Sequence, residues 1–291
     1  MPMKKFVFSP KLGWSVSRYN LFETCKRQYY YNYYAKYDPE YPTKKILALK
    51  KMTSIPLEIG NIVHDVNKTL LERLQKTAKE IDKARFHDYA RKMTEEYVRT
   101  KTFQEVYYGR MKSVVPSDLF NKVRISLNNL LNSDRFTWLI DHAVLKKDEW
   151  LIEPPGYGET RIGGMKAYCK VDFLFPVNDR LFIMDWKTGK ADLKKHRRQM
   201  VGYAAWASYH FEKDPAGISP IVAYLHPHYK EIDITVRSSD IEAFARQIRK
   251  ETAHMNEFCQ NVQKNIPKDK KLFIPTKSKL CNYCNFKILC D

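Results

Sequence analysis

Two carboxylates and a lysine lie close together in the segment of the sequence with the clearest chemistry. The segment "MDWKTGK" at residues 184–190 contains Asp185 and Lys187. Because side chains alternate along a strand, we expect these two groups on one face and Trp186 on the other. Asp172 lies shortly before them, in the strand-like segment "AYCKVDFLF" at residues 167–175. The pattern predicts a hairpin that carries both acids.

The register of that hairpin decides whether the two acids meet. If "PVND" at residues 176–179 is the whole loop, Phe175 pairs with Arg180 and Asp172 lies opposite Ile183. Asp172 is then diagonal to Asp185, on the same face of an apolar sheet. Two acids in such surroundings repel each other unless a cation lies between them.

Magnesium suits this pair of acids. Mg²⁺ binds through one or two carboxylates, keeps several waters and accepts phosphate oxygens as its other ligands. A bound metal ion lowers the pKa of an attacking water, and Lys187 could orient that water or neutralise developing charge. The alternative is a pair of strand-end acids with a salt-bridging lysine, which an Asp-x-Lys pattern taken alone favours.

Three further side chains could join this site. His64 follows Gly60 in "GNIVH", and imidazole binds Mn²⁺ and other transition metals alongside carboxylates. Gln199 and Tyr203 share a helical face, where they could hold a phosphate or a base near the metal. Structural roles remain open for all three, because a lone helical histidine is more often structural and helix–sheet seams commonly contain an amide and a ring.

Cysteines near the end of the sequence form a second candidate metal site. Cys281, Cys284 and Cys290 lie within ten residues of one another in "CNYCNFKILCD". A Cys₄ site needs a fourth thiolate, and its metal could be zinc or an iron–sulfur cluster. The apolar stretch of "MPMKKFVFSPKLG" is too short for a signal peptide. Six cysteines without an export signal indicate a reducing compartment, where clustered cysteines bind metal more often than they form disulfides.

Charge and hydropathy indicate a nucleic acid partner. Lys and Arg outnumber Asp and Glu by 51 to 33, and the net charge of +18 predicts attraction to nucleic acid first and to anionic membranes second. No apolar run approaches the roughly 18 residues of a membrane span, so we expect a cytoplasmic protein with no membrane partner. Some of the 19 tyrosines could stack on unpaired bases, although most are expected in the core.

The elements that must position these residues follow from periodicity. A first helix is predicted from Ser15 or Ser17 onward and contains Cys25, a second covers residues 58–74, and helical spacing continues from about 78 to 144. Strands follow at 167–175 and 180–187, after a short strand in "EWLIEPPG" that ends at its prolines. Later elements are a helix at 196–211, strands at 221–227 and 231–236, and a helix with a Ser239–Glu242 capping box.

The ordered set of candidate residues resembles the RecB-like branch of the PD-(D/E)XK nuclease superfamily. The set consists, in order, of Gly60-x-x-x-His64, Asp172, Asp185-x-Lys187 and Gln199-x-x-x-Tyr203. One early cysteine with a terminal Cys-x2-Cys-x5-Cys is similar to the iron–sulfur nucleases of that branch. These include the CRISPR-associated RecB-like exonucleases that trim prespacers and the nuclease domain of AddB. "SVSRYNLFETCKRQYYYNYY" at residues 15–34 also resembles their first helix.

The resemblance implies metal-dependent cleavage of DNA by a restriction-endonuclease-like α/β fold, a central mixed sheet flanked by helices. The implied catalytic residues are Lys187, Asp185 and Asp172, and the implied ligands of Mg²⁺ or Mn²⁺ are His64, Asp172 and Asp185. Gln199 and Tyr203 would support the site.

The resemblance also implies a [4Fe–4S] cluster that joins the first helix to the tail. Its ligands would be Cys25, Cys281, Cys284 and Cys290, which leaves Cys169 and Cys259 as buried thiols. The implied organisation has four parts: N-terminal helices with the first cluster cysteine (1–64), a helical insertion (65–144), the nuclease core (145–260), and a basic linker with the cysteine tail (261–291). The insertion is closer to the AddB or RecB kind than to compact CRISPR-associated members.

The function predicted from these features is a DNA exonuclease that acts on single-stranded ends. Its pathway would be DNA repair and recombination or CRISPR prespacer processing, with recombination or CRISPR adaptation proteins as candidate partners. The alternative is a catalytically inactive iron–sulfur subunit that binds DNA and delivers it to another enzyme, and a third hypothesis is a zinc-tied adaptor. The intact set of Asp172, Asp185 and Lys187 favours the enzyme.

Overall fold

A computed structural model describes residues 2–77, 79–154 and 159–290 of the protein. Its α-helices are α1 (Val16–Thr24), α2 (Lys26–Tyr34), α3 (Thr43–Lys50), α4 (Ile55–Lys76), α5 (Lys83–Thr100), α6 (Gln104–Tyr107), α7 (Pro116–Leu131), α8 (Asp134–Trp138), α9 (Leu193–Phe211) and α10 (Ser238–Asn256). Its strands are β1 (Leu151–Ile152), β2 (Glu159–Ile162), β3 (Met165–Tyr168), β4 (Phe173–Val177), β5 (Arg180–Lys187), β6 (Ile218–Tyr224), β7 (Lys230–Asp233), β8 (Cys259–Asn261) and β9 (Ile266–Pro267).

A five-stranded mixed sheet in the order β1-β4-β5-β6-β7 is the centre of the fold. β4 and β5 are antiparallel, β5 and β6 are parallel, and β6 and β7 are antiparallel. The parallel pair is connected by α9, which packs on β6, because parallel neighbours need a crossover connection. The predicted fold class, an α/β fold with a central mixed sheet flanked by helices, is confirmed.

Hydrophobic cores form on both faces of the sheet because the side chains of β5 alternate. Ile183 belongs to the core that contains α1, α2 and α9, whereas Met184 and Trp186 belong to the core that contains α4 and α7. The predicted second helix is α4, and it buries Ile62, Val66, Leu70 and Leu74 in this second core. Residues 65–144 thus pack on the sheet, while the division into four parts stays a prediction. None of the described helices combines the length and apolarity that crossing a bilayer requires.

The predicted first helix is interrupted at Cys25. Ser15 caps α1 as predicted, and its hydroxyl accepts a hydrogen bond from the Arg18 backbone at 3.1 Å. The helix ends at Thr24, and Cys25 is extended, with φ −162° and ψ 112°. The prediction that Cys25 lies inside a helix is therefore wrong. Tertiary packing explains the break, because α1 contacts α9 and α10 whereas α2 contacts α3.

The predicted strand at residues 167–175 is two strands in two sheets. β3 ends at Tyr168 and pairs with β2 in a hairpin that the sequence analysis did not foresee. Gly163 and Gly164 form its turn with φ of 56° and 79°, a conformation that glycine adopts without strain. Asp172 consequently lies just before β4, not within it. The short preceding strand is present as β1, but Pro155, the second proline predicted to end it, lies outside the described residues.

The register of the β4–β5 hairpin differs from the predicted one by two residues. Val177 pairs with Arg180 and Phe173 pairs with Met184, so the loop consists of residues 178 and 179 rather than all of "PVND". The predicted pairing of Phe175 with Arg180 is wrong. An even shift keeps every side chain on its predicted face, and the predicted proximity of the two acids survives the error.

The other predicted elements differ mainly at their ends. The predicted helix at 196–211 is α9, and the predicted strands at 180–187, 221–227 and 231–236 are β5, β6 and β7. The capping box of α10 is wrong by two residues. The helix begins at Ser238, and the Arg237 backbone donates to the Asp240 carboxylate at 2.9 Å. Ser239 is therefore already inside the first turn and cannot cap it.

The basic linker before the cysteine tail is docked through a buried ion pair. The Lys270 ammonium lies 2.9 Å from a carboxylate oxygen of Asp38 and 2.9 Å from one of Glu40. The side chains of Lys270 and Asp38 are 2% and 0% exposed. Arg27 adds a hydrogen bond of 2.9 Å to the Phe273 carbonyl. These protein contacts thus hold the basic linker against the N-terminal helices.

Replacing Lys270 tests this docking. Lys270→Met leaves the Asp38 carboxylate buried without its counterion, so we expect the free energy of unfolding to fall by about 3–5 kcal/mol. Urea denaturation measures the change. Lys271→Met is the matched control, because Lys271 is the exposed neighbour. Equal denaturation midpoints for the two variants would contradict a role for the buried pair.

Candidate active site

Asp172, Asp185 and Lys187 meet at the ends of the two central antiparallel strands. Asp185 is near the end of β5 and is 1% exposed, and its Oδ2 forms an ion pair with the Lys187 ammonium. Asp172 precedes β4, and its Oδ2 accepts a hydrogen bond of 3.0 Å from the Trp186 backbone. The strand pairing thus brings the predicted acids and lysine together.

His64 reaches this site from α4. Its Nδ1 lies 3.3 Å from Oδ1 of Asp172, and its Nε2 lies 3.0 Å from the carbonyl oxygen of Trp186. α4 buries Ile62 and Val66 against the sheet, and His64, between them in sequence, is directed to the strand ends. Both ring nitrogens therefore have protein partners, so binding a metal ion would require the imidazole to exchange one of them.

Gln199 and Tyr203 approach Asp185 from α9. The Gln199 amide donates to Oδ1 of Asp185 at 3.2 Å and to the Tyr203 hydroxyl at 2.6 Å. The Tyr203 hydroxyl donates to the same Oδ1 at 3.3 Å. Because the two residues are one helical turn apart, a single face of α9 supplies both donors. All six side chains that the sequence analysis assigned to this site are thus neighbours, while their roles stay predictions.

The local electrostatics shift the pKa values of the two acids in opposite directions. Burial and the negative charge of Asp172 raise the pKa of Asp185 to about 6. Burial also opposes ionisation of Asp172, but the charge and hydrogen bond of His64 hold its pKa below the usual range. Burial lowers the pKa of His64, and the charge and hydrogen bond of Asp172 outweigh burial and raise it to about 9. Asp172 and His64 therefore form an ionised pair beside an acid that is hard to ionise.

The donor set of this site fits a hard divalent cation. In the part of the chain that the structure describes, no group of three or more His, Cys, Asp or Glu side chains is arranged to hold a metal ion. Mg²⁺ does not need such a group, because one or two carboxylates suffice when waters and phosphate oxygens complete its shell. Asp172 and Asp185 supply those two carboxylates, and a cation would relieve the repulsion that raises the pKa of Asp185.

The four cysteines of the predicted cluster lie in one region without forming a ready metal site. Sγ of Cys25 accepts a hydrogen bond of 3.4 Å from the Thr276 backbone, and Sγ of Cys281 lies 3.8 Å from the Thr276 carbonyl. Burial, together with the charges of Cys290, Cys25 and Cys281, raises the pKa of Cys284 to about 11. The remaining cysteines, Cys169 and Cys259, are buried thiols as predicted.

Two cavities border Lys187, and they contain residues that the sequence analysis missed. One, of about 440 Å³, lies between the starts of α1 and α9, and the other, of about 410 Å³, lies beside α4. Lys170 lines both cavities and forms an ion pair of 3.0 Å with Glu153. A signal was available, because Lys170-x-Asp172 is the reverse of Asp185-x-Lys187.

Comparison with known proteins agrees with this geometry. A sequence profile of the PD-(D/E)XK nuclease superfamily matches residues 13–291, so the chain belongs to that superfamily. It is therefore a hydrolase of the nuclease class with DNA as its substrate class, and such nucleases typically use Mg²⁺ or Mn²⁺.

Seven chains of solved structures match as well. One is the crystal structure of SSO0001, which is 17% identical, with 68% of this chain and 79% of that chain covered and a TM-score of 0.32. The comparison with curated proteins gives no match.

Proposed function

We propose that the protein is a Mg²⁺- or Mn²⁺-dependent exonuclease that hydrolyses phosphodiester bonds at single-stranded DNA ends. The observation that carries the proposal is the convergence of Asp172, Asp185 and Lys187 at the strand ends. In the proposal both carboxylates bind the ion, and His64 joins them when its Nε2 loses its proton and exchanges the Trp186 carbonyl for the ion. When bound, the ion lowers the pKa of the attacking water and stabilises charge on the phosphoryl group.

The remaining site residues position the reacting groups. Gln199 and Tyr203 both donate to Oδ1 of Asp185, which holds the carboxylate in one orientation. Its Oδ2 is then directed at the Lys187 ammonium. Lys187 orients the attacking water and offsets the negative charge that develops on the phosphate. Asp172 is held by the Trp186 backbone and by His64.

The finer parts of the proposal rest on charge and on the resemblance to RecB-like nucleases. The net charge of +18 favours contact with a DNA backbone. The resemblance favours single-stranded ends and a role in DNA repair and recombination or CRISPR prespacer processing. The candidate partners are accordingly recombination or CRISPR adaptation proteins. The clustered cysteines favour a reducing, cytoplasmic location. The domain division, with 65–144 as a helical insertion into the nuclease, is part of the same proposal.

The proposal includes a [4Fe–4S] cluster on Cys25, Cys281, Cys284 and Cys290. Two observations support it: the thiols act on one another electrostatically, and backbone amides at Thr276 and Ser278 donate to the sulfurs of Cys25 and Cys281. Cys25 has an extended backbone between α1 and α2, although its N–H still donates to the Leu21 carbonyl and its carbonyl accepts from the Tyr29 N–H, both at 3.0 Å. Four cysteine thiolates are the usual ligand set of such a cluster. The four sulfur atoms would have to move closer together to bind it.

Cleavage assays with two variants test the proposed nuclease. Lys187→Ala and Asp172→Asn should each lower the rate on end-labelled single-stranded DNA with Mn²⁺ by about a hundredfold or more, because each removes a group that acts on the transition state. Asp179→Asn, at the exposed turn of the same hairpin, is the control and should cleave normally. Tight DNA binding by the wild type without any cleavage would favour the inactive subunit that delivers DNA.

Thermal denaturation tests the metal ligands independently of activity. Mn²⁺ at a hundredfold excess over its Kd should stabilise the wild type by about 3 kcal/mol and raise Tm by several degrees relative to EDTA. Asp185→Asn should lose this rise, and Asp179→Asn should retain it. An undiminished rise in Asp185→Asn would remove Asp185 from the metal site.

Iron analysis tests the cluster. Protein purified without oxygen should contain iron and absorb visible light, and Cys25→Ser should lose both. Cys169→Ala is the control, because Cys169 is a buried thiol outside the proposed ligand set. Full iron retention in Cys25→Ser would exclude Cys25 as a ligand, and zinc in place of iron would favour the zinc site.

A further inference from the structure

The cavity between α1 and α9 is lined by several residues that have no role in the proposed hydrolysis. Its volume is about 440 Å³, and it borders the site at Lys187. We call it the lysine cavity, and the lining residues that matter are Ser15, Ser17, Lys170, Lys187, Lys195 and His196.

The charges that line the lysine cavity have one sign. Its charged residues are Lys170, Lys187 and Lys195, and within the described ranges no acidic side chain lines it. The neighbouring cavity beside α4 differs, because its lining includes Glu58, Asp65, Glu153 and Asp172. The lining of that second cavity also includes Lys101, Lys170 and Lys187, so its charges largely offset one another, whereas the first cavity attracts an anion.

Lys195 leaves its positive charge uncompensated. Lys170 forms an ion pair with Glu153, and Lys187 forms one with Asp185. Lys195 is exposed, and its ammonium has no ion-pair partner among the residues that the structure describes. A ligand with negative charge can therefore contact Lys195 without breaking an existing pair.

The first turn of α1 also faces the lysine cavity. Ser15, Val16 and Ser17 line the cavity, and α1 is nine residues long. The Ser15 hydroxyl accepts from the Arg18 backbone, so the backbone N–H groups of Val16 and Ser17 lack an intrahelical acceptor. The first turn contains no acidic residue. These features make the helix start favourable for an anion.

His196 lines the same cavity and is 7% exposed. Its Nδ1 lies 2.6 Å from the Tyr224 hydroxyl, which holds the ring in place. Nε2 forms no hydrogen bond with a protein group in the described part of the chain. A ligand in the cavity can therefore contact Nε2 without displacing a protein partner.

We propose that the lysine cavity binds a phosphate group of the DNA strand, next to the bond that is cleaved. Both cavities share Lys170 and Lys187, so a strand that passes from one cavity to the other crosses the two carboxylates. The phosphate accepts from the first turn of α1, contacts the Lys195 ammonium and lies beside the His196 ring. The proposal rests on the proposed nuclease function and adds how the strand is held. The phosphate is either a terminal monoester or an internal diester.

Two variants and one control test the proposal. Ser17→Asp places a carboxylate in the cavity and is compatible with folding, because an acid in the first turn of a helix is favourable. Lys195→Ala removes the unpaired charge. Lys194→Ala is the matched control, because Lys194 is an exposed lysine on the same helix that does not line the cavity. Circular dichroism checks that each variant is folded.

Binding is measured by fluorescence anisotropy in Ca²⁺, with gel analysis to verify intact DNA. The three probes are single-stranded oligonucleotides of the same sequence. The first has a 5′-phosphate, the second has a 3′-phosphate, and the third has neither. We expect Kd to rise about tenfold or more for Ser17→Asp, because the new carboxylate repels the phosphate. We expect a rise of about threefold or more for Lys195→Ala, because it loses a charge-assisted contact. Kd should change less than about twofold for Lys194→Ala, which loses only distant screened charge.

Each outcome decides one point. A rise confined to one phosphorylated end assigns the cavity to a terminal phosphate, and an equal rise for all three probes assigns it to an internal diester. Unchanged Kd values for both cavity variants, or an equal rise in Lys194→Ala, overturn the proposal. A parallel cleavage assay of the wild type in Mn²⁺ keeps the two ideas separate: absent cleavage refutes the nuclease, whereas normal cleavage with unchanged Kd values refutes the phosphate site alone.

Discussion

A carboxylate that is almost completely buried must be surrounded by donors, and Asp185 imposes this requirement on the elements around it. The residue is 1% exposed at the end of a central strand, where removal from water raises its pKa to about 6. α9 provides Gln199 and Tyr203, which donate to one oxygen, and β5 itself provides Lys187 for the other. A displacement of α9 would leave Oδ1 of this buried acid without its two donors. The geometry of the site therefore depends on the docking of α9 on the parallel strands.

The overall charge of the chain and the charge of its site have opposite effects on DNA. The net charge of +18 attracts the polyanion at long range, but Asp172 and Asp185 repel a phosphate at short range. A divalent cation reconciles the two, because it neutralises the carboxylates and offers ligand positions to phosphate oxygens. Among the described residues, the cavity on the side of α1 and α9 is lined by lysines without acids, whereas the cavity beside α4 is lined by both. The approach of the strand from the side of α1 and α9 is therefore electrostatically favoured.

The candidate site was more predictable from the sequence than the backbone that carries it. The approach of Asp172 to Asp185 depends on side-chain alternation, and an even error in register leaves alternation intact. The error arose from Pro176 and Val177, which were assigned to the loop but belong to β4. Proline fits there because the short β1 pairs only with Phe173 and Leu174, which leaves the outer edge of β4 open at Pro176. Such a local edge depends on tertiary structure and leaves no pattern in the strand's own residues.

The break at Cys25 and the docking of the tail change what a cluster would have to do. The sequence analysis implied one uninterrupted helix through Cys25 and a [4Fe–4S] cluster as the connection between that helix and the tail. In the structure, the buried Lys270–Asp38 pair and a hydrogen bond of 3.2 Å from the Tyr31 hydroxyl to the Leu289 carbonyl already connect the tail to the N-terminal helices. These contacts therefore offset most of the entropy cost of bringing the tail to the N-terminal helices, with or without a cluster. A cluster at Cys25 would act on a docked tail, where its effect is to restrict local motion of the cysteine segment rather than to bring distant parts of the chain together.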